Sequence, residues 1–301
     1  MPSDLNLYMT SKCNFECSHC SRRVRKPAAK DVTIELVGEI LDKFPITSVC
    51  LAGFGEPLIT SNTIAIAQFL NKQGIKPSLI TNGSMIMDYL EQLSDIDFLY
   101  LSVSLNEPNA ELHEKSNGTK TFTKIIRGIL ELKARITYPV GISKVCFKGQ
   151  LNNIPYFVNL GAYLGTVFIH LVNSLPYADS ALDGILTYKD EEDIAFLEEC
   201  KKDPQAIRVK RWPIPIGGKC PHTCDSPWKT IGVDGDGHIT GCRRVFGPDE
   251  KFGHFSKPDE WSSNIELERL RNGIFGQGEY AATCNYCFGN FKKKKNENHS
   301  R

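Results

Sequence analysis

Cys13, Cys17 and Cys20 are spaced C-x3-C-x2-C within one short stretch, Cys13-Asn14-Phe15-Glu16-Cys17-Ser18-His19-Cys20. Three thiolates in one loop can hold three irons of a 4Fe-4S cluster and leave the fourth iron open to a small chelating molecule. A structural zinc ion usually takes four protein ligands. No fourth cysteine or well-spaced histidine lies nearby, and His19, inside the loop, is badly placed to complete a tetrahedron. A second group, Cys224, Cys242, Cys284 and Cys287, sits at the other end of the chain. Two thiolates flanking a hairpin and two on a C-x2-C knuckle can fully ligate one further 4Fe-4S cluster, although four cysteines ending this way are also a zinc recipe. Cys220 is left over, as a ligand, a hydrogen-atom donor or neither. Cys50 and Cys146 lie in apolar runs and read as small buried hydrophobes, and Cys200 ends a helix-like stretch.

The first half of the chain alternates strand-like and helix-like segments. Strands are expected at 4–9, 47–52, 76–80, 98–105, 142–147 and 167–172. Helices are expected at 33–44, 63–72 (closed by Gly74), 84–93, 122–134 and 154–164. Repetition of this kind predicts parallel strands with helices outside. Right-handed crossovers then wrap the sheet toward a barrel, whose chemistry sits at the C-terminal strand ends. Further on, 190–201 reads as a helix and 207–213 as extended. Asp234-Gly235-Asp236-Gly237 is strong turn chemistry between strands at 228–233 and 238–241. The fold class is therefore α/β, a partial (β/α)6 barrel with a small C-terminal α+β extension. Its expected divisions are a core at 1–180, a connecting helix and strand at 181–216, an auxiliary-cluster unit at 217–290 and a basic tail at 291–301.

The chain has 301 residues, a net charge of +1 and eleven cysteines. Such a charge balance gives no reason to expect nucleic acid or an anionic membrane as partner. No run approaches the roughly 18 apolar residues that span a bilayer. The N-terminus lacks both the basic and the apolar region of a signal peptide. A cytoplasmic location is expected, where clustered cysteines hold metal rather than pair as disulfides.

The cysteine triplet just past the first strand of a β/α chain resembles the radical S-adenosylmethionine (SAM) superfamily. Three further segments carry the resemblance. Gly53-Phe54-Gly55-Glu56-Pro57 is similar to the family's G-G-E-P, with Phe54 in place of the second glycine. Thr81-Asn82-Gly83 matches T-N-G, and Ser104-Leu105-Asn106 resembles S-L-D-G with Asn106 and Glu107 replacing Asp-Gly. The resemblance implies that SAM binds the open iron and that cleavage by one electron gives a 5′-deoxyadenosyl radical. It implies SAM contacts from Phe15, His19, Gly55, Glu56, Pro57, Thr81, Asn82 and Ser104. Lys144 or Lys148 would reach the SAM carboxylate, or else lie as surface lysines. The C-terminal cysteines, with Gly237, Gly253, Trp261 and Leu270-Arg271, resemble the SPASM extension in its shorter twitch form, which implies a second, auxiliary 4Fe-4S cluster.

A fully ligated second cluster suits a reaction in which a substrate radical loses an electron. The expected function is oxidation of a small polar molecule, as in radical SAM alcohol dehydrogenases, with a flavodoxin- or ferredoxin-type reductant. The alternative is a peptide-modifying or epimerising enzyme, disfavoured because the chain begins almost at its first strand with no domain to dock a leader peptide. A scaffold holding iron–sulfur or zinc without SAM chemistry is the third reading. His170, alternating with apolar residues in the sixth strand, is either an interior functional group or a core histidine. Asn173, Tyr177, Arg211 and Trp212 are candidate substrate contacts. Arg22, Arg23, Arg25 and Lys26 either attract an anionic substrate or reductant or lie in an exposed loop.

Overall fold

A computed structural model describes residues 1–20, 22, 30–174, 184–213, 215, 226–240 and 253–264. Cys220, Cys224, Cys242, Cys284, Cys287, Tyr177, Arg23, Arg25, Lys26 and the 291–301 tail lie outside these residues. The strands are β1 (Asp4–Tyr8), β2 (Ser48–Ala52), β3 (Ser78–Thr81), β4 (Tyr100–Ser104), β5 (Val140–Cys146), β6 (Phe168–Asn173), β7 (Val209–Arg211), β8 (Thr230–Asp234) and β9 (Ile239–Thr240). They form one sheet in the order β7-β6-β5-β4-β3-β2-β1-β8-β9, parallel throughout except for the β8–β9 hairpin.

The connecting helices are α1 (Ile34–Lys43), α2 (Asn62–Lys72), α3 (Leu90–Asp95), α4 (Ala110–Asn117), α5 (Phe122–Lys133), α6 (Ile154–Tyr163), α7 (Glu191–Cys200), α8 (Ser226–Lys229) and α9 (Pro258–Ser262). Their ends follow local chemistry. The Thr33 side chain accepts from Leu36 N to start α1, and Asn109 does the same for α4 through Leu112 N, each meeting a donor the helix leaves unpaired.

Alternation along the strands divides the sheet into two chemically different faces. Leu5, Leu7, Val49, Leu51, Leu79, Leu101, Val103, Ile142, Ile169, Leu171, Ile231 and Val233 belong to one buried hydrophobic cluster shared with the helices. Their neighbours Asn6, Tyr8, Cys50, Ser78, Ser102, Ser104, Ser143, His170 and Gly232 point the other way and are not part of that cluster. A parallel sheet sandwiched between helix layers would be apolar on both faces. A polar second face lined with small side chains belongs to the interior of a curled sheet.

Several expectations changed in detail. The helix expected at 84–93 is a 3-10 turn, Met87–Tyr89, leading into α3. Ser84 is engaged instead, its N–H and hydroxyl both donating to Asn82 Oδ1. Residues 204–208 form a 3-10 turn capped by Asp203, so β7 is shorter than the expected extended run. Trp228 lies in α8 rather than in a strand. Helix α4 was not expected at all: its sequence, AELHEKSN, carries little apolar periodicity. The hairpin expected in the C-terminal unit adds directly to the main sheet, with Asp4–Tyr8 in parallel register against Thr230–Asp234.

Because Ile231 is fully buried in the shared cluster, Ile231→Ala should lower the stability of the main unfolding transition by about 2–5 kcal/mol in urea titration. An unchanged main transition would mean that β8 belongs to a separately folding unit.

Candidate active site

The three N-terminal cysteines follow β1 in a loop that neighbouring strand ends tie down on several sides. The loop after β2 straps its start: Gly55 N donates to Thr10 O (3.0 Å) and Glu56 N to Lys12 O (2.8 Å). A Cβ on Gly55 would lie 2.0 Å from Lys12 O, so only glycine allows this approach. The C-terminal carbonyls of α4 take the middle of the loop, Asn117 O accepting from Glu16 N (3.2 Å) and Ser116 O from Ser18 N (3.0 Å). The Arg22 guanidinium donates to Ser11 O and Phe15 O, both at 3.3 Å.

Glu56, 2% exposed, joins two of the strand ends. Its carboxylate accepts from Leu58 N (3.1 Å), Thr81 Oγ1 (2.6 Å) and Asn82 N (2.6 Å). Burial pushes its carboxyl up to about 7, opposed by those three donated hydrogen bonds. The Asn82 amide then donates to Asn14 Oδ1 (2.8 Å), and Asn14 Nδ2 donates to Ser84 Oγ (2.8 Å). Asn14 is the residue after Cys13, so the β2, β3 and cysteine loops form one hydrogen-bonded unit. Gly83 closes the turn with φ +80°, and a Cβ there would press on Val103 and Ile125.

Cys13, Cys17 and Cys20 carry free thiols. Burial raises the Cys13 and Cys17 thiols, Cys17 to about 12, with Cys20 adding to both shifts through its charge. The three sulfurs are thus close enough to repel one another as thiolates.

Other expected site residues have different positions. Phe15 is 3% exposed and packs edge-on against the His113 ring at 5.9 Å, anchoring the loop from below. His19 lies beside Phe147 (centroids 5.6 Å) with its Nδ1 buried and unpartnered. Burial, with the Lys144 charge second, pushes its pKa down to about 4, so its ring is neutral. Pro57 opens the 3-10 turn after Glu56. Ser104 ends β4 on the polar face, accepting from the Ser143 hydroxyl at 3.4 Å.

Lys144 is neither a surface lysine nor an interior one. It shares the helix-facing side of β5 with Ile142, and its ammonium, 3% exposed, holds Asn106 O (2.7 Å) and Glu107 (3.2 Å). That pairing fixes the left-handed turn at Asn106 (φ 65°), which asparagine tolerates. Lys148 pairs with Asp190. The Asn173 amide bonds the backbone of Leu186 in both directions, so it is structural. His170 is on the polar face, stacked on Phe168 at 4.7 Å, its pKa lowered by burial and then by Arg211. Trp212 lies under the Lys201 ammonium. Cys50 and Cys146 are buried, as expected.

Two contributors were missed in the sequence: Asn14 and His113. His113 is fully buried, its Nδ1 meeting Leu105 O (3.2 Å) and its Nε2 the Thr121 hydroxyl (3.3 Å). It joins α4, β4 and Phe15 of the cysteine loop. The only local signals were the Asn109 cap and Gly118, whose φ of 71° ends α4.

This site and fold agree with what the chain is similar to. Residues 7–152 match the family model described as the radical SAM superfamily. Probable GTP 3′,8-cyclases are 28% identical over 200 residues in Saccharolobus islandicus and 27% over 195 residues in Sulfolobus acidocaldarius. The first match covers 65% of this chain and 63% of that relative, and the second 64% and 62%; the chain thus spans less than two thirds of the curated relatives it matches. Among solved structures, Streptococcus suis SuiB bound to its precursor peptide SuiA superposes with a TM-score of 0.72 at 14% identity, covering 94% of this chain and 71% of that one. The anSMEcpe structure with bound AdoMet and a peptide gives 0.65 at 18% identity, covering 89% and 82%. These likenesses are of fold. Among the described residues, no helix is long and apolar enough to cross a membrane.

Because burial raises the Glu56 carboxyl, the folded state holds a proton there that the unfolded chain releases at lower pH. Glu56 therefore contributes stability below about pH 4.5 that is lost as pH rises through about 7. The stability advantage of the wild type over Glu56→Gln should accordingly shrink across that window in denaturant titrations. An advantage that widens with pH would show that the three hydrogen bonds outweigh desolvation.

Proposed function

We propose that the chain is a radical SAM enzyme in which Cys13, Cys17 and Cys20 hold a 4Fe-4S cluster. The single observation that carries this reading is three free thiols in one loop after β1, strapped by backbone hydrogen bonds to the neighbouring strand-end loop and to α4. Bound there, the cluster supplies the electron that cleaves SAM to methionine and a 5′-deoxyadenosyl radical, which takes a hydrogen atom from a substrate carbon.

The chain's own residues orient and enclose. Glu56, Thr81, Asn82 and Asn14 fix the cysteine loop against the ends of β2 and β3. With the Glu56 carboxylate occupied, its loop meets SAM through backbone near Gly55, while Ser104 offers a hydroxyl from the polar face. The neutral His19 ring and Phe147 close one side. Phe15 and Lys144 act beneath, through packing and through the Asn106 turn.

The substrate we infer is a small polar molecule oxidised at a carbinol carbon. That carbon would give its hydrogen atom to the 5′-deoxyadenosyl radical, which becomes 5′-deoxyadenosine; its hydroxyl proton would go to solvent and the remaining electron to a second acceptor, leaving a ketone. A second 4Fe-4S cluster on Cys224, Cys242, Cys284 and Cys287, in the twitch arrangement over 217–290, is the proposed acceptor. A flavodoxin- or ferredoxin-type protein is the proposed reductant, and the cytoplasm the proposed location. A second reading, a cyclase acting on GTP, is favoured by the shared sequence with the probable GTP 3′,8-cyclases.

Anaerobic reconstitution should give about eight iron and eight sulfide per chain, falling to about four in a Cys224→Ala/Cys242→Ala variant. With dithionite and SAM the protein should release 5′-deoxyadenosine, and Cys17→Ala should not. Reconstituted protein that leaves SAM intact would contradict the reading. GTP-dependent consumption of SAM would select the cyclase.

A further inference from the structure

Asn6 is the polar residue the fold leaves least explained. It sits mid-way along β1, flanked by Leu5 and Leu7, which are 1% and 0% exposed and belong to the hydrophobic cluster. Asn6 therefore projects from the opposite, polar face of the sheet. It is 4% exposed, and its amide nitrogen is buried with no hydrogen-bond partner. Native proteins rarely leave a buried donor unmet, because the lost hydration is not recovered. An orphan of this kind in the interior of an enzyme's sheet is what a missing ligand leaves behind.

The surroundings define that ligand. In register with Asn6 are Cys50 on β2 and Gly232 on β8, with Ser78 and then Tyr100 further round the sheet. No residue of this row carries a charge. Gly232 has no side chain, and a Cβ there would collide with Tyr8 and Thr240. Thr240 on β9 is in register with Gly232, and its Oγ1 lies 3.2 Å from Tyr8 Oη, which reaches over Gly232 from one pleat higher, another pair of neutral hydroxyls. A phosphate or carboxylate would find no counter-charge at this level, whereas a hydroxyl or carbonyl oxygen would find a ready donor.

The geometry points to Asn6 as a substrate-binding residue, whose amide donates to an uncharged oxygen of a hydroxylated small molecule held inside the sheet. This assignment rests on the radical SAM reading and narrows it: the part of the substrate reaching β1 is neutral and oxygen-bearing. A site built to donate a hydrogen bond discriminates strongly against molecules that cannot accept it.

The hydrogen-atom transfer itself supplies the test. Reconstituted full-length protein is reduced with SAM in the presence of perdeuterated glycerol, glucose or myo-inositol. A carbon–deuterium bond near the radical breaks as one forms in 5′-deoxyadenosine, so mass spectrometry of that product reports occupancy. The wild type should yield deuterated 5′-deoxyadenosine with at least one of the three. Asn6→Leu should lower the deuterated fraction about tenfold or more, read as a share of the 5′-deoxyadenosine that the same sample releases, and Asn6→Ala replaces it if leucine prevents folding. An unchanged deuterated fraction in the variant, or no deuterium from any of the three in the wild type, overturns the assignment. Absence of 5′-deoxyadenosine altogether would instead overturn the radical SAM reading.

Discussion

A carboxylate taken out of water is costly unless donors replace its hydration. Glu56 offsets part of that cost with three donors drawn from two loops, Leu58 N on its own and Thr81 Oγ1 and Asn82 N on the next, while burial still raises its carboxyl. The constraint runs both ways. The carboxylate is tolerable only while the β2 and β3 ends stay together, and they stay together because it needs them. Asn82 extends the arrangement to Asn14, so the spacing of the cysteine loop follows from a hydrogen-bond chain begun two strands away. Gly55 is required for the same reason, since a side chain there would push its loop off Lys12, while a Cβ on Gly83 would press on Val103 and Ile125.

The two faces of the sheet divide the work. Leucine, isoleucine and valine on the helix side form the shared core, and this burial is the main stabilising contribution. The opposite face carries asparagine, serine, cysteine, histidine and tyrosine, residues poorly suited to a dry core. Folding stability and substrate chemistry thus occupy alternate positions of the same strands. Strand β8 extends both faces past β1, which ties the C-terminal part of the chain to the strand that delivers the cysteines.

The cysteine spacing and the β/α alternation were legible because each is local. Five helices and six strands fell near their expected places, since hydrophobic periodicity reports burial directly. The order of the motif tripeptides at strand ends was legible too. What each side chain does there was not. Glu56 and Thr81 were expected as cofactor contacts, yet they bind each other across 25 positions of sequence. Lys144 was expected at the SAM carboxylate or at the surface; its buried ammonium pairs with Glu107 on the helix-facing side of β5. Helix α4 escaped notice because its stability comes from caps and from His113, a polar residue whose burial no periodicity reveals. The parallel pairing of β8 with β1 joins residues over two hundred positions apart, beyond the reach of a local pattern.

The central claim is that Cys13, Cys17 and Cys20 hold a cluster with one iron open to SAM. Electron paramagnetic resonance on dithionite-reduced protein, with Cys224, Cys242, Cys284 and Cys287 changed to alanine, isolates that cluster. The account predicts a reduced-cluster signal whose g values shift when SAM is added. A signal that SAM leaves unmoved, or no signal at all, would contradict it.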